Sequence, residues 1–127
     1  MFNFKNKLMS HFRKILVWQK SISLVTKIYK TTKTFPKEET FGLTSQIRRS
    51  SISIPSNIAE GSGRESTKDF LRYLYISLGS LFETQTQLEI AKNITYINEE
   101  EFNNLYEDSR EIERMLASLI KKLKAAA

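Results

Sequence analysis

Apolar residues recur every three or four positions along most of this chain, the spacing that places them on one face of an α-helix. Four such stripes are present, and proline, glycine or polar residues separate them. No stretch alternates apolar and polar residues for long enough to predict a β-strand. The pattern therefore predicts an all-α protein, folded as an antiparallel up-down four-helix bundle.

The ends of the four helices are predicted by prolines and capping residues. The first helix covers 14–34 and ends before Pro36, and the second covers 39–61 with a kink at Pro55. Ser66 and Asn98 each precede an acidic residue by three positions, which predicts N-caps for a third helix ending near 93 and a fourth near 124. The predicted core stripe of the first helix is Ile15, Trp18, Ile22, Val25 and Tyr29.

The chain has room for one domain. Of its 127 residues, we assign 1–13 to a basic N-terminal arm and 14–124 to the bundle. Three alanines at 125–127 are attributed to cloning and left out of functional reasoning.

Composition removes most catalytic chemistry. There is no cysteine and a single histidine, His11, so disulfides, thiolate zinc sites, histidine metal clusters and Ser/His triads are excluded. The longest apolar runs hold four residues, too few for a membrane span or a signal peptide. We expect a cytoplasmic protein that is not an enzyme and holds no metal or cofactor.

The charge is unevenly distributed along the chain. Residues 1–37 hold nine Lys and Arg and no acid, whereas residues 38–127 hold eleven basic and fourteen acidic residues. Such a stretch indicates a surface that meets an anion, either nucleic acid or an acidic partner. The alternative is a basic element balanced inside the fold by the acidic C-terminal segment.

Basic residues spaced by seven suggest a phosphate-binding stripe. With Ile15 and Trp18 in the core, the outermost positions of the first helix would recur about every 10 Å, a pitch that can follow a nucleic-acid backbone. The alternative is an ordinary solvated helix face. The residues of this candidate stripe are Arg13, Lys20 and Lys27, with Lys30 one turn further on.

Arg48 and Arg49 are adjacent and project about 100° apart on a helix, so both cannot enter the core. Guanidinium groups suit planar partners such as carboxylate or phosphate. We expect one of them to pair with Glu60 or Glu83, within the chain or between subunits; the alternative is that both contact nucleic acid.

Several Pro, Gly and polar positions are best explained by backbone shape. The segment with Asn57, Glu60, Gly61 and Arg64 follows Pro55 but lacks a nucleophile–base pair or a phosphate loop of known spacing. Glu60 is expected to accept hydrogen bonds freed by the kink or to pair with Arg64.

The third helix has features that suggest a contact with another helix. Gly79 in its middle predicts close approach of a helix, within the bundle or across a subunit interface. This helix also carries more aromatic surface than one bundle seam uses: Phe70, Tyr73, Tyr75 and Phe82. We expect self-association through it; the alternative is that these are singly exposed apolar residues, which are normal.

Three motifs occur together and in order: Gln-x-Arg-Arg in 46–49, Ser-x-Pro-x-Asn-x-x-Glu-Gly in 53–61, and Gly-Ser-x-x-Glu in 79–83. Over about residues 14–97 the chain resembles the four-helix-bundle proteins encoded in 23S rRNA intervening sequences. The accessory variability proteins of diversity-generating retroelements belong to the same structural family. The resemblance implies a ring, typically a homopentamer, with a basic surface. It implies no established activity for intervening-sequence members, and binding of nucleic acid and a reverse transcriptase for the accessory members.

These observations favour a non-enzymatic, homo-oligomeric bundle whose basic surface binds nucleic acid, with structured RNA preferred. The alternative is a scaffold or accessory subunit that docks an acidic protein partner such as a reverse transcriptase.

Overall fold

The computed structural model describes residues 12–126 and shows four α-helices. No strand occurs in this part of the chain, which confirms the all-α class. Single turns of 3₁₀-helix at Phe12–Lys14 and Lys37–Glu39 precede the first and second helices. The helices are α1, Leu16–Thr32; α2, Leu43–Ser62; α3, Thr67–Asn93; and α4, Glu99–Ala126.

Both predicted N-caps are present. The Asp69 backbone N–H donates to Ser66 Oγ at 3.1 Å. At α4 the exchange is reciprocal: the Glu101 N–H donates to Asn98 Oδ1 at 2.8 Å, and the Asn98 N–H donates to Glu101 Oε1 at 3.1 Å. The single cap at Ser66 and the capping box at Asn98 satisfy N–H groups that a helix start leaves without an internal partner.

The second helix starts later than predicted, at Leu43 instead of 39. The Glu39 carboxylate accepts the Leu43 N–H at 3.1 Å, so Glu39 caps this helix from outside it. Gly42, the residue directly before the helix, has no side chain with which to cap it.

The four helices form a closed bundle in which α1 and α3 each pack against both α2 and α4. Ser50 of α2 lies 2.8 Å from Thr84 of α3, and Ser77 Oγ donates to the Ile54 carbonyl at 2.9 Å. As residue numbers increase along α2, from Ser50 to Ile54, the numbers of the residues they contact on α3 decrease, from Thr84 to Ser77. The two helices therefore run antiparallel. The direction of the other pairs stays a prediction, as does the kink, although α2 continues through Pro55.

A polar group sits inside the α2–α3 contact. Ser50 Oγ also donates to Gln87 Oε1 at 2.7 Å, and Ser50, Thr84 and Gln87 are all buried. Within residues 12–126, no buried side-chain nitrogen or oxygen lacks a hydrogen-bond partner. Because a buried hydroxyl or amide without a partner is destabilising, this group favours one alignment of the two helices.

The predicted core stripe of α1 is wrong. Trp18 is only half-buried at the edge of the core, and Ile22 and Tyr29 are exposed. The stripe that the structure buries contains two hydroxyl residues. In the structure Ser21 Oγ and Thr32 Oγ1 donate to backbone carbonyls of their own helix, both at 2.8 Å, which allows their burial. The buried residues of α1 are Val17, Ser21, Leu24, Ile28 and Thr32.

No helix within residues 12–126 is both long enough and apolar enough to cross a membrane.

Candidate nucleic-acid interface

Two lysines of the predicted phosphate-binding stripe are ion-paired within the fold. Lys20 Nζ lies 3.1 Å from Glu111 Oε1, and Lys27 Nζ lies 2.7 Å from Asp108 Oδ2. The corrected core stripe of α1 explains this, because it turns these lysines toward the carboxylates of α4, although both side chains stay partly exposed. Their charge is offset by the acidic last helix, as the alternative interpretation of the charge pattern proposed.

The other two residues of that stripe lie in different surroundings. Lys30 lines a hollow together with Glu100 and Glu101 of α4. The Arg13 guanidinium lies 5.7 Å from the centre of the Phe12 ring and 6.0 Å from that of Trp18. The structure therefore does not assemble Arg13, Lys20, Lys27 and Lys30 into one cationic surface, and their contact with nucleic acid stays a prediction.

A different set of cations meets where α1 ends and α2 begins. An open cleft of about 750 Å³ lies between these helices and the connection that joins them, and we call it the α1–α2 cleft. No carboxylate lines it, whereas hydroxyl groups of Thr40, Thr44 and Ser45 do. Its cationic lining residues are Lys33, Lys37, Arg48 and Arg49.

Arg48 is held in place by α1. Its Nε donates to Thr32 Oγ1 at 2.9 Å, and its guanidinium carbon lies 4.5 Å from the centre of the Tyr29 ring. A hydroxyl and an aromatic face thus hold Arg48 within the chain. Neither arginine pairs with Glu60 or Glu83 inside the described part of the chain, and such a pair between subunits stays a prediction. Arg49 is exposed and makes no ion pair with any residue in 12–126.

The Glu39 carboxylate is engaged away from the cleft. Besides the Leu43 N–H, it accepts the Tyr96 hydroxyl at 2.8 Å from the α3–α4 connection. The Leu43 hydrogen bond, followed by that from Tyr96, lowers the pKa of Glu39 below its usual value. The same hydrogen bond to Glu39, together with burial, raises the pKa of Tyr96. Glu39 thereby ties the two connections together and leaves the cationic lining unopposed.

Phe41 lies on the cleft with 95% of its surface exposed. Sequence reasoning missed it, together with Lys33 and Lys37. A signal was available, because these three residues lie in the connection between α1 and α2 and the two arginines lie in the second turn of α2, so that the ends of the two helices bring them close.

The expected ion pair of Glu60 with Arg64 is present at the opposite end of α2. Arg64 Nη2 donates to Glu60 Oε1 at 3.0 Å and to the Tyr73 hydroxyl at 2.7 Å. The interaction with Tyr73, and after it that with Glu60, raises the pKa of Arg64. Asn57 Nδ2 donates to the Ser53 carbonyl at 2.8 Å, within α2. Arg64 and Glu60 thus join the end of α2 to Tyr73 of α3, whereas the bond of Asn57 stays within α2.

Gly79 has no neighbour within the bundle. A Cβ built on it would meet nothing within 4 Å, so the close approach expected inside the bundle is wrong. Contact across a subunit interface stays a prediction. Glu83, one turn further along α3, is exposed and lies 3.4 Å from Gln87 Nε2, not beside an arginine.

No three His, Cys, Asp or Glu side chains in residues 12–126 are placed to share a metal ion.

The family described as 23S rRNA-intervening sequence protein matches residues 13–118. The chain belongs to this family.

A solved structure supports the family and the fold. The crystal structure of a protein of unknown function from the S23 ribosomal protein family of Bacteroides thetaiotaomicron is similar over 84% of this chain and 99% of that one, with 34% identity and a TM-score of 0.78. A comparison with curated proteins finds no match. The link to retroelement accessory proteins stays an implication of the sequence resemblance.

The family motifs fall at three separate places in this intervening-sequence protein. Arg48 and Arg49 line the α1–α2 cleft, Glu60 and Gly61 lie at the far end of α2, and Gly79 lies on the exposed side of α3. Of the three motifs, only that of residues 46–49 places cationic side chains beside others, and it does so in the α1–α2 cleft.

Proposed function

We propose that this intervening-sequence protein is a non-enzymatic, homo-oligomeric, cytoplasmic protein that binds nucleic acid, with structured RNA preferred. The contact is made by phosphates in the α1–α2 cleft. The observation that carries the proposal is the lining itself, which holds four cationic side chains and no carboxylate.

The cleft suits a phosphate chain for three physical reasons. Arginine presents planar paired donors to phosphate oxygens, and lysine adds compact charge. Arg48 is already fixed by Thr32 and Tyr29, so little rotational freedom is lost when a ligand binds. Hydroxyl groups such as that of Ser45 commonly donate to phosphate oxygens.

Self-association is supported by the outward side of α3. Tyr75, Phe82 and Ile90 are each close to half exposed there, and with Gly79 and Thr86 they follow one another at steps of three and four. We call this set the outer face of α3. An assembly through it would present several clefts to one RNA, which strengthens binding without new contacts. The homopentamer is the ring size that the family resemblance implies.

The test is an RNA titration with matched variants. Wild-type protein is compared with Lys33→Gln/Arg49→Gln, which removes two cleft cations, and with Lys20→Gln/Lys27→Gln, which removes the same charge from the α1–α4 ion pairs. If all four cleft cations neutralise phosphates of a single strand, a plot of log affinity against log salt concentration has a slope near −3. Affinity then falls about 50-fold between 50 and 200 mM salt. The cleft variant should bind more weakly with about half that slope, and the control should bind like wild type.

Three results would contradict the proposal. Binding that does not depend on salt excludes phosphate contacts. A larger loss in the Lys20/Lys27 variant places the interface on the α1–α4 side. If the protein binds neither RNA nor DNA at the lower salt concentration, the cleft does not bind nucleic acid. The alternative is then favoured, a scaffold whose cleft binds an acidic protein partner.

A further inference from the structure

Phe41 is the large apolar side chain that stands out most among residues 12–126. It is 95% exposed, and the next most exposed, Leu16, reaches only 57%. A phenylalanine held almost wholly in water gains nothing from the core, so its position at a cationic cleft is the feature that requires an explanation.

The backbone around Phe41 is held by hydrogen bonds on both sides. The Thr40 N–H donates to the Lys37 carbonyl at 3.0 Å, and the Gly42 N–H donates to the Glu39 carbonyl at 2.9 Å. The bond from Tyr96 to Glu39 fastens this turn to the α3–α4 connection. Phe41 is therefore displayed on a fixed turn, which lowers the entropy lost when a ligand packs against its ring.

We propose that Phe41 is a stacking platform for an unpaired base, and that the α1–α2 cleft takes a single-stranded RNA segment such as a loop, a bulge or an end. The phosphates of that segment lie on the four cationic residues of the cleft. This inference rests on the proposed function and makes its ligand more specific.

The argument for an unpaired segment comes from the geometry of bases. In a duplex both faces of each base are covered by neighbours, so a protruding ring finds no surface to stack on. Single-stranded RNA is recognised by aromatic rings that stack on exposed bases beside a cationic track for the backbone. The α1–α2 cleft has both parts, with Phe41 as the ring and three partly or fully exposed cations beside it.

The experiment uses the full chain with two RNA probes. One is a hairpin whose unpaired loop carries a single fluorescent adenine analogue, and the other is a fully paired duplex of equal length. The variants are Phe41→Ala, Phe41→Tyr as the conservative replacement, and Ile22→Ala as an exposed apolar control on α1 outside the cleft. Thermal unfolding checks that each is folded, which is expected for Phe41→Ala because the ring is almost fully exposed.

Loss of one stacking contact should weaken hairpin binding by Phe41→Ala roughly 5- to 150-fold. The salt slope should be unchanged, because no charge is removed. Stacking should also quench the loop fluorophore in wild type and in Phe41→Tyr but not in Phe41→Ala, and Ile22→Ala should behave as wild type. Duplex binding should be weak and the same for all variants.

Three outcomes would overturn the inference. If the duplex binds as tightly as the hairpin, or if Phe41→Ala leaves hairpin affinity and quenching unchanged, Phe41 is no stacking platform, while salt-dependent binding would still support the proposed function. If Phe41→Ala instead changes the native mass, Phe41 belongs to a contact between subunits. If wild-type protein binds neither RNA, the proposed function fails as well, and the salt titration identifies that failure separately.

Discussion

At Gly61 the absence of a side chain lets two helices approach closely. A Cβ at this position would lie 2.6 Å from Tyr73 Cβ and 3.0 Å from Phe70 Cδ1, both on α3. Gly61→Ala should therefore force α2 and α3 apart and lower the free energy of unfolding by about 1–3 kcal/mol, measured by urea denaturation.

Gly63 provides the matched control for that substitution. A Cβ there would meet the Glu60 carbonyl oxygen at 3.6 Å, an ordinary contact, and its φ is −87°. Gly63→Ala should leave stability unchanged or raise it by about 0.4–1 kcal/mol. Equal losses in both variants would show that close approach is not the reason for Gly61.

Glu39 predicts a dependence of stability on pH. Its pKa is lowered in the folded protein by hydrogen bonds from the Leu43 N–H and then the Tyr96 hydroxyl. The ionised form is thus favoured by folding, and this contribution is present above the carboxyl's unfolded pKa and lost as pH falls through the folded pKa. Wild type should be more stable than Glu39→Gln near neutral pH, and the difference should shrink in acid. Denaturation of both proteins across this range checks it, and a difference that does not vary with pH would rule out this role.

Local contacts could be predicted from the sequence, whereas distant ones could not. Ser66 with Asp69 and Asn98 with Glu101 are three positions apart, so their capping bonds are visible in the sequence. The bond from Tyr96 to Glu39 spans 57 positions and has no local pattern. The same holds for Arg48, whose partners on α1 are set by how α1 and α2 pack.

At the scale of the helix, α1 shows why a repeat of apolar residues does not always identify the buried face. Its apolar residues fall on two overlapping stripes, and the one without hydroxyl groups was the simpler choice. The structure buries the other, since helix carbonyls accept the hydroxyls of Ser21 and Thr32. The helix itself and nearly all of its length were predictable; its rotation about its own axis was not.

The outer face of α3 gives a prediction in which a monomer and an oligomer respond differently. In a monomer, Gly79→Leu fills open space and improves helix propensity, so stability should rise by roughly 1 kcal/mol. In an assembly that packs a helix against Gly79, the same side chain prevents close approach. We expect Gly79→Leu to lower the native mass measured by light scattering at a fixed concentration.

Asn103→Leu is the control for that measurement. Asn103 is exposed on α4 and is not one of the residues of the outer face of α3, so a leucine there adds the same apolar side chain without filling the space at Gly79. Its native mass should match wild type. A wild-type protein that is already monomeric, or a Gly79→Leu protein with unchanged mass, would contradict assembly through this face.

For the whole molecule, the sequence predicted the class of fold and the separation of charge but not how the charge is used. Lys20 and Lys27 are balanced by acids of α4 across 80 or more positions of sequence, and only folding shows this. The α1–α2 cleft remains as the place where cations meet without an opposing acid in the lining. The acid-free stretch thus contributes both to internal ion pairs and to the candidate interface.

The ion pairs between α1 and α4 also have a consequence for synthesis. A ribosome makes α1 first and α4 last. Lys20 and Lys27 therefore have no ion-pair partner until Asp108 and Glu111 of α4 have been synthesised. Residues 1–98 contain fifteen Lys and Arg but only seven acids, whereas the seven acids of the last helix follow afterwards. A nascent chain is therefore more strongly basic than the finished bundle while it is still beside ribosomal RNA. Release of α4 completes the core, supplies the partners of Lys20 and Lys27 and lowers the net charge from +8 to +6, so folding itself would weaken any early attachment to the RNA around it.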